Sequence, residues 1–327
     1  MKKIWITGER GMLGQLLTQR LSRKKDLVVI KPDIGWIRQV SLHHGEREVD
    51  VLDKLLLSYM HRERPNIVVH FAAVVGTDKC TANPERCVEV NLLGTQRVLD
   101  ACRQLGAALL YVSTTATYDP ARSVKRPYTE KSPQVPETIY GITKYAGELV
   151  VRNQSLVPYC VIRPCFLVGD PPLDHSSQLC RIAVHGALKK WCPKQAGRKP
   201  VTLMDPRNLK DYMAVEDFID AVHLMLKEMS RGMSGETVNI SAMNQRPCGE
   251  YFDMLRASAS MSGYDIEMEW NPEADYMGNH VVDSVSIREL LGWEPSTPIE
   301  DRIAQLAKAA KSYAQQVSKK DLVVTYA

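Results

Sequence analysis

Two short stretches of this chain carry residue types and spacings that could do chemistry. "YGITK", residues 140–144, sets Tyr140 four positions ahead of Lys144. On a helix, side chains at i and i+4 project from one face, and an ammonium held beside a phenol favours its ionised form. Such a pair could pass a proton to and from an oxygen. A core tyrosine preceding a lysine by accident has the same spacing, so the surrounding elements must decide. "TGERGMLG", residues 7–14, places Gly8, Gly11 and Gly14 between an apolar run and an amphipathic one that opens at Met12 and Leu13. Glycines there allow a tight turn and a close backbone approach to a pyrophosphate, which rests on the free N–H groups of the following helix.

The elements that must position these residues alternate regularly over about the first 165 positions, the mark of a parallel sheet with crossover helices. "KKIWIT" (2–7) reads as a strand, followed by a helical pattern at Leu13, Leu16, Leu17 and Leu21. "LVVI" (27–30), "IVVHFAA" (67–73), "AALLYVS" (107–113) and "YCVIRP" (159–164) read as further strands. Residues 83–106 read as one helix with Asn83 as N-cap, Pro84 at the first position and Gly106 at the C-terminal cap. Residues 138–154 read as the helix that carries Tyr140 and Lys144. Beyond Pro164 the pattern loosens into loops, helices near 179–190 and 215–229, and strands near 201–204 and 236–241.

Composition narrows the classes. A net charge of +4, with Lys and Arg scattered, lacks the clustered basic stripe of a nucleic-acid binder. No apolar run approaches the roughly 20 residues of a membrane span. The N-terminus lacks the long apolar core of a signal peptide, so the cytoplasm is the expected compartment. Eight cysteines, at 80, 87, 102, 160, 165, 180, 192 and 248, include no Cys-x-x-Cys. They read as small buried apolar residues rather than disulfides or metal ligands, and no metal is expected.

The glycine spacing after a strand, taken with motifs further along, resembles the extended short-chain dehydrogenase/reductase family and its NAD(P)-dependent nucleotide-sugar epimerase/reductase branch. "VDVLD" (49–53) is similar to the adenine-contacting segment, with Asp50 and its neighbour Val51. "HFAA" (70–73) is similar to the strand end under the cofactor, which brings in Phe71, Ala72 and Ala73. "NLLGT" (91–95) matches Asn-x-x-Gly-Thr, "STTATY" (113–118) the strand end that carries the catalytic Ser/Thr, and "VIRPCFLVG" (161–169) the strand whose proline lies by the nicotinamide. "RELLGWEPSTPIED" (288–301) resembles the Leu-Gly-Trp-x-Pro element of the sugar-nucleotide branch.

The resemblance implies an α/β fold, a Rossmann-type doubly wound parallel sheet with a smaller C-terminal substrate-binding lobe. Residues 1–165, with returns near 206–242, would form the dinucleotide-binding domain; 166–205 and 243–316 the lobe; and 317–327 a tail. It assigns the proton exchange to Tyr140, ribose contact and lowering of the phenol's pKa to Lys144, and orientation of the oxygen to Thr114. Asn91, Ser113 and Pro164 join the cofactor site. Relatives pair through helices matching 84–105 and 138–154, which implies a homodimer.

The cofactor is not decided by one residue. Lys31 stands where NAD-selective relatives close the second strand with an acid, Asp33 follows two positions later, and Arg10 stands where NADP-binding relatives meet the 2′-phosphate. Two cations against one acid favour NADP over NAD. For the substrate, dehydratases of the family carry an Asp-Glu pair after the catalytic threonine, whereas this chain has Thr115 and Ala116, so hydride exchange without dehydration is expected, with Thr115 toward the substrate. Sugar-nucleotide relatives place an arginine before Asp-Tyr to grip pyrophosphate as a fork. Lys210 in "LKDYMAVED" offers a point charge instead. A sugar nucleotide is the first expectation, and a non-nucleotide sugar or other small carbonyl compound the alternative. A non-catalytic dinucleotide sensor is a further alternative, although such relatives commonly lose Tyr or Lys from the pair.

Overall fold

The structure, a computed structural model, describes residues 2–22, 26–30, 51–53, 56–120, 127–154, 156–171, 177–196, 201–203, 205–271 and 278–320. Two compact units share the chain. The first comprises 1–118, 133–163 and 219–238, and the second 119–132, 164–218 and 239–327.

The first unit is built on a six-stranded sheet. Its strands β1 (Lys2–Thr7), β2 (Leu27–Val29), β3 (Ile67–His70), β4 (Ala108–Val112) and β5 (Tyr159–Pro164) lie in the order β2-β1-β3-β4-β5, with Thr237–Ile240 beyond β5. The pairings are parallel, with Ile4 opposite Val29 on one side and Ile67 on the other, Ile67 opposite Ala108, and Leu109 opposite Tyr159. Both faces are covered by helices, which is why β3 and β4 are apolar and buried along almost their whole length. Trp5, Val68, Leu109 and Val161 from the strands pack with Val98, Leu99 and Cys102 from helix Gly94–Leu105 and Val151 from helix Ile139–Gln154. After β1 the chain first runs outward to β2 and then crosses back to β3, so strand order reverses between β1 and β3. A doubly wound sheet opens its ligand crevice at such a point.

The expected helix over 83–106 is interrupted. Asn83 caps it, its side chain accepting from Arg86 N at 3.1 Å, and Gly106 closes it in the left-handed region at φ 64°. Between Pro84–Val88 and Gly94–Leu105, however, residues Glu89–Leu93 form a π-helical turn. Such bulges concentrate at functional sites because they re-aim a side chain, and the residue re-aimed here is Asn91. Helices Leu56–Glu63 and Thr77–Ala82 have no counterpart in the sequence reading.

The second unit holds a three-stranded sheet of Gln245–Pro247, Leu209–Ala214 and Phe166–Val168, and a parallel pair of Val201–Leu203 with Met268–Trp270. Helices Gln178–Trp191, Cys248–Met261 and Ile299–Lys320 enclose its core of Leu179, Ile182, Phe252, Leu255, Ile303 and Leu306. The expected tail from residue 317 is corrected. The last helix continues to Lys320 because Ala307, Ala310, Ala314 and Val317 form a buried stripe at helical spacing. Alanines are only weakly apolar, so that stripe does not stand out in the sequence.

One expectation about the cysteines is also overturned. Cys80 and Cys87, on two short helices joined at Asn83, form a disulfide with a Cα–Cα separation of 5.2 Å. The turn between the helices folds the chain back, bringing together two residues whose spacing in sequence gives no sign of it. The other six are free, and all but Cys192 are buried. Among the described residues no cluster of acids, histidines and cysteines could hold a metal ion, and no helix is long and apolar enough to cross a membrane.

Candidate active site

The glycine turn is built for close approach. Gly8 sits at φ 70°, and a Cβ there would meet Ala72 N at 2.8 Å; a Cβ on Gly14 would meet Glu9 Cα at 2.5 Å. Gly11 N donates to Gly8 O at 3.0 Å, and Gln15 Nε2 closes the outside of the loop on Arg10 O at 2.6 Å. Gly11 is also the N-cap of helix Met12–Leu21 and has no side chain with which to cap it. The first N–H groups of that helix therefore lie open beside a backbone with no Cβ in the way, at the reversal point of the sheet. This cradle fits the pyrophosphate of a dinucleotide.

A hydrogen-bonded chain ties the turn to the next strands. Thr7 Oγ1 lies 2.7 Å from His70 Nδ1, His70 Nε2 lies 3.0 Å from Thr95 Oγ1, and Thr95 Oγ1 donates to Asn91 O at 2.6 Å. Because the Thr95 proton goes to Asn91, His70 must donate from Nε2 and accept at Nδ1 from Thr7. Thr7 Oγ1 accepts in turn from Ala72 N at 3.2 Å. Burial, with the Lys144 ammonium nearby, pushes the His70 pKa down to about 3, so the imidazole stays neutral. The sequence reading passed over His70, which stands 63 residues from its partner Thr7.

Helix Ile139–Gln154 lies tight on the sheet by virtue of two glycines. A Cβ on Gly141 would meet Pro136 Cβ at 2.9 Å as well as the Ala116 carbonyl, and one on Gly147 would meet the Tyr111 phenol, with Cζ at 2.9 Å. This close seating brings Tyr140 to Thr114, which stands just past β4 and hydrogen-bonds the phenol. Burial raises the Tyr140 pKa to about 12 despite that bond. Lys144 is buried, 2% exposed, and its Nζ stands 4.4 Å from the centre of the Tyr111 ring. Burial pushes its pKa down to about 7, against the opposing pull of Glu148. Desolvation outweighs the Thr114 bond at Tyr140, so the phenol keeps its proton.

Thr114, Tyr140 and Lys144 are therefore in one unit, as are Val51, Phe71, Ala72 and Ala73. Other expected contacts are turned inward. Asn91 is fully buried; its Nδ2 donates to Val74 O at 3.1 Å and Thr143 Oγ1 at 3.1 Å, and its Oδ1 accepts from Val74 N at 2.8 Å. It acts as a brace between the segment after β3 and the Tyr140 helix. Ser113 gives its hydroxyl to Glu148 Oε1, and Thr115 is buried in a short 3-10 turn. Arg10 is exposed on the glycine turn, and Pro164 ends β5. Lys210 belongs to the second unit and is 0% exposed, with its ammonium bonded to Gly278 O at 2.5 Å. It is not a surface lysine, and a carbonyl already holds the charge expected for phosphate. Lys31, Asp33 and Asp50 lie outside the described residues.

The sequence reading also missed Glu148 and Arg163, an ion pair with both side chains fully buried. Arg163 grips the carboxylate as a fork, Nε to Oε1 at 2.9 Å and Nη2 to Oε2 at 2.7 Å. Burial works to raise the Glu148 pKa, yet bonding from Arg163 above all holds the carboxyl below its usual range.

The sequence model of the NAD dependent epimerase/dehydratase family matches residues 4–241. The chain is similar to the UDP-glucose 4-epimerase of Mycolicibacterium smegmatis, 24% identical over 321 residues, 95% of this chain and 99% of the relative. Among solved structures it is similar to RMD from Pseudomonas aeruginosa complexed with NADPH, with a TM-score of 0.75 at 20% identity over 97% of this chain and 100% of that one. It is also similar to the UDP-glucose 4-epimerase of Thermotoga maritima with UDP-glucose, with a TM-score of 0.76 at 20% identity over 95% of this chain and 99% of that one. Both structures support the same fold along the whole chain.

Proposed function

The chain belongs to the NAD-dependent epimerase/dehydratase family, and within it we propose an epimerase or ketoreductase that exchanges hydride at a carbon of a sugar nucleotide. The observation that carries the proposal is the neutral Tyr140 phenol, bonded to Thr114 with Lys144 one helical turn away. When bound, the nicotinamide dinucleotide supplies or accepts the hydride. The protein's own part is to move the proton. Thr114 orients the substrate oxygen, Tyr140 gives up its proton as a carbonyl becomes a hydroxyl and takes it back in reverse, and Lys144 holds positive charge beside them. Thr115 and Ala116 carry no carboxylate, so elimination of water lacks its acid.

Gly8, Gly11 and the open N–H groups of Met12, Leu13 and Gly14 would hold the pyrophosphate. The exposed Arg10 guanidinium on that turn favours NADP over NAD, and a structural relative is complexed with NADPH. A sugar nucleotide is favoured by a relative bound to UDP-glucose. The burial of Lys210 favours a second reading, a sugar or other small carbonyl compound without a pyrophosphate for that lysine to meet. A homodimer through helices Pro84–Leu105 and Ile139–Gln154 is supported by Val88, Leu93, Ile142 and Leu149, large apolar side chains that these elements leave exposed.

The test is turnover of UDP-sugars and of simple ketoses with each nicotinamide cofactor, on wild type and Tyr140→Phe. The substitution keeps the ring and deletes the proton, so turnover should fall about 10²–10⁴-fold with cofactor binding retained. Near-normal turnover by the variant would remove the tyrosine from the reaction.

A further inference from the structure

We propose that Glu148 is a positioning residue for the Tyr140–Lys144 pair: its carboxylate, clamped by Arg163 and Ser113, is the buried counter-charge that keeps Lys144 an ammonium and ties the Thr114 strand end to the Tyr140 helix. The inference rests on the reading that Tyr140 and Lys144 act together on the substrate oxygen. Glu148 lies four residues after Lys144 on the same helix, hence on the same face one turn along. Besides the Arg163 fork it receives Ser113 Oγ at 2.5 Å, Gln134 Nε2 at 3.1 Å and Arg152 Nη2 at 3.1 Å. Arg163 extends the network to Tyr118 Oη at 2.8 Å and Gln134 Oε1 at 2.9 Å. The cluster thus joins the residue before Thr114, the end of the turn after it, the segment leading into the Tyr140 helix, that helix itself, and β5. A buried ion pair is a poor source of stability, because well-packed apolar residues of the same volume serve as well or better. Stability alone therefore does not account for this pair.

The charges around Lys144 point the same way. His70 on β3 is neutral, Tyr111 on β4 and Tyr140 on the same helix are un-ionised phenols, and Cys87 is in a disulfide. On the helices packed against this one, Asp78, Lys79, Glu85, Glu89 and Arg97 are exposed, Arg86 is half-buried with Glu89 for a partner, and Asp100 pairs with Arg103. Among the described residues of the first unit, Glu148 is the only buried carboxylate. Arg163 and Arg152 share it, and neither could replace it beside an ammonium.

The experiment reads Lys144 directly. Protein labelled with ¹³C-lysine is titrated by NMR, with the Lys144 signal assigned by its loss in Lys144→Arg, and turnover is followed over the same pH range. Glu148→Gln should lower the Lys144 midpoint by about 1–3 pH units. Turnover at pH 7.5 should fall tenfold or more, with the deficit shrinking as the pH is lowered, and Glu148→Asp should restore most of both. An unchanged midpoint, or a loss of turnover by one factor at every pH, would show that the carboxylate only braces the fold. If Glu148→Gln does not fold, the double variant Glu148→Gln/Arg163→Met removes both charges and is read in the same way; if that also fails to fold, the pair serves the core and the proposal falls. The titration needs no substrate, so a failure of the proton-transfer reading under Tyr140→Phe would leave its result standing on its own.

Discussion

Gly147→Ala tests whether close seating of the Tyr140 helix, rather than the helix itself, makes the site. In an ordinary helix this change is favourable by about 1 kcal/mol, because alanine loses less backbone freedom than glycine. Here the new methyl would sit 2.9 Å from Tyr111 Cζ, and nearer still to the hydroxyl. Carbon atoms prefer roughly 3.5–4.0 Å, so something must yield by about 0.6–1 Å. Tyr111 is fully buried in the core, its ring lies under the Lys144 ammonium, and its hydroxyl donates to Lys144 O at 3.2 Å. The ring has nowhere to swing, and the helix must lift. Overpacking of this kind costs about 1–3 kcal/mol, which leaves a net loss of about 0–2 kcal/mol. Lifting Lys144 and Tyr140 by nearly an ångström should lower turnover about 10²-fold. Urea unfolding and initial rates measure the two effects. Tyr111→Phe in the same background removes the oxygen that the methyl meets, so the two changes should be non-additive, with a coupling of about 0.5 kcal/mol or more. A variant that gains the full 1 kcal/mol and turns over normally would refute this account of the helix.

Gly14→Ala should abolish cofactor binding measured by fluorescence titration, since its methyl would force Glu9 off the turn that cradles the pyrophosphate; binding at wild-type strength would put the dinucleotide elsewhere. His70, held near a pKa of 3 in the fold, takes up its proton near 6.5 when unfolded, so the unfolded chain binds more protons between those values and stability falls as the pH drops through that window. The loss approaches about 5 kcal/mol at its acid end, and His70→Asn, which keeps a donor and an acceptor but cannot titrate, should move the acid-unfolding midpoint to lower pH in a circular-dichroism titration. An unmoved midpoint would mean that other groups set acid lability. Denatured without reductant, the protein should react with thiol reagent at six cysteines, and at all eight after reduction; eight from the outset would exclude the Cys80–Cys87 bond.

How much of this was legible in the sequence follows the distance over which each interaction acts. The glycine turn, the Asn83 and Gly106 caps and the four-residue step from Tyr140 to Lys144 are local geometry, set by neighbours a few residues away. The parallel sheet was legible from the alternation of apolar runs and helical patterns, since strands covered on both faces must be apolar throughout. The π-helical turn that aims Asn91, the chain of Thr7, His70 and Thr95, and the Glu148–Arg163 clamp were not, because their partners come from different strands and helices. A charged residue in sequence looks the same whether it is exposed, as Arg10 is, or fully buried, as Lys210 and Arg163 are. Sequence by itself determined which groups could exchange a proton and what kind of sheet carries them. Only the tertiary structure decided their charge, because burial moves the pKa of Tyr140, Lys144 and His70, and burial arises when distant segments pack together.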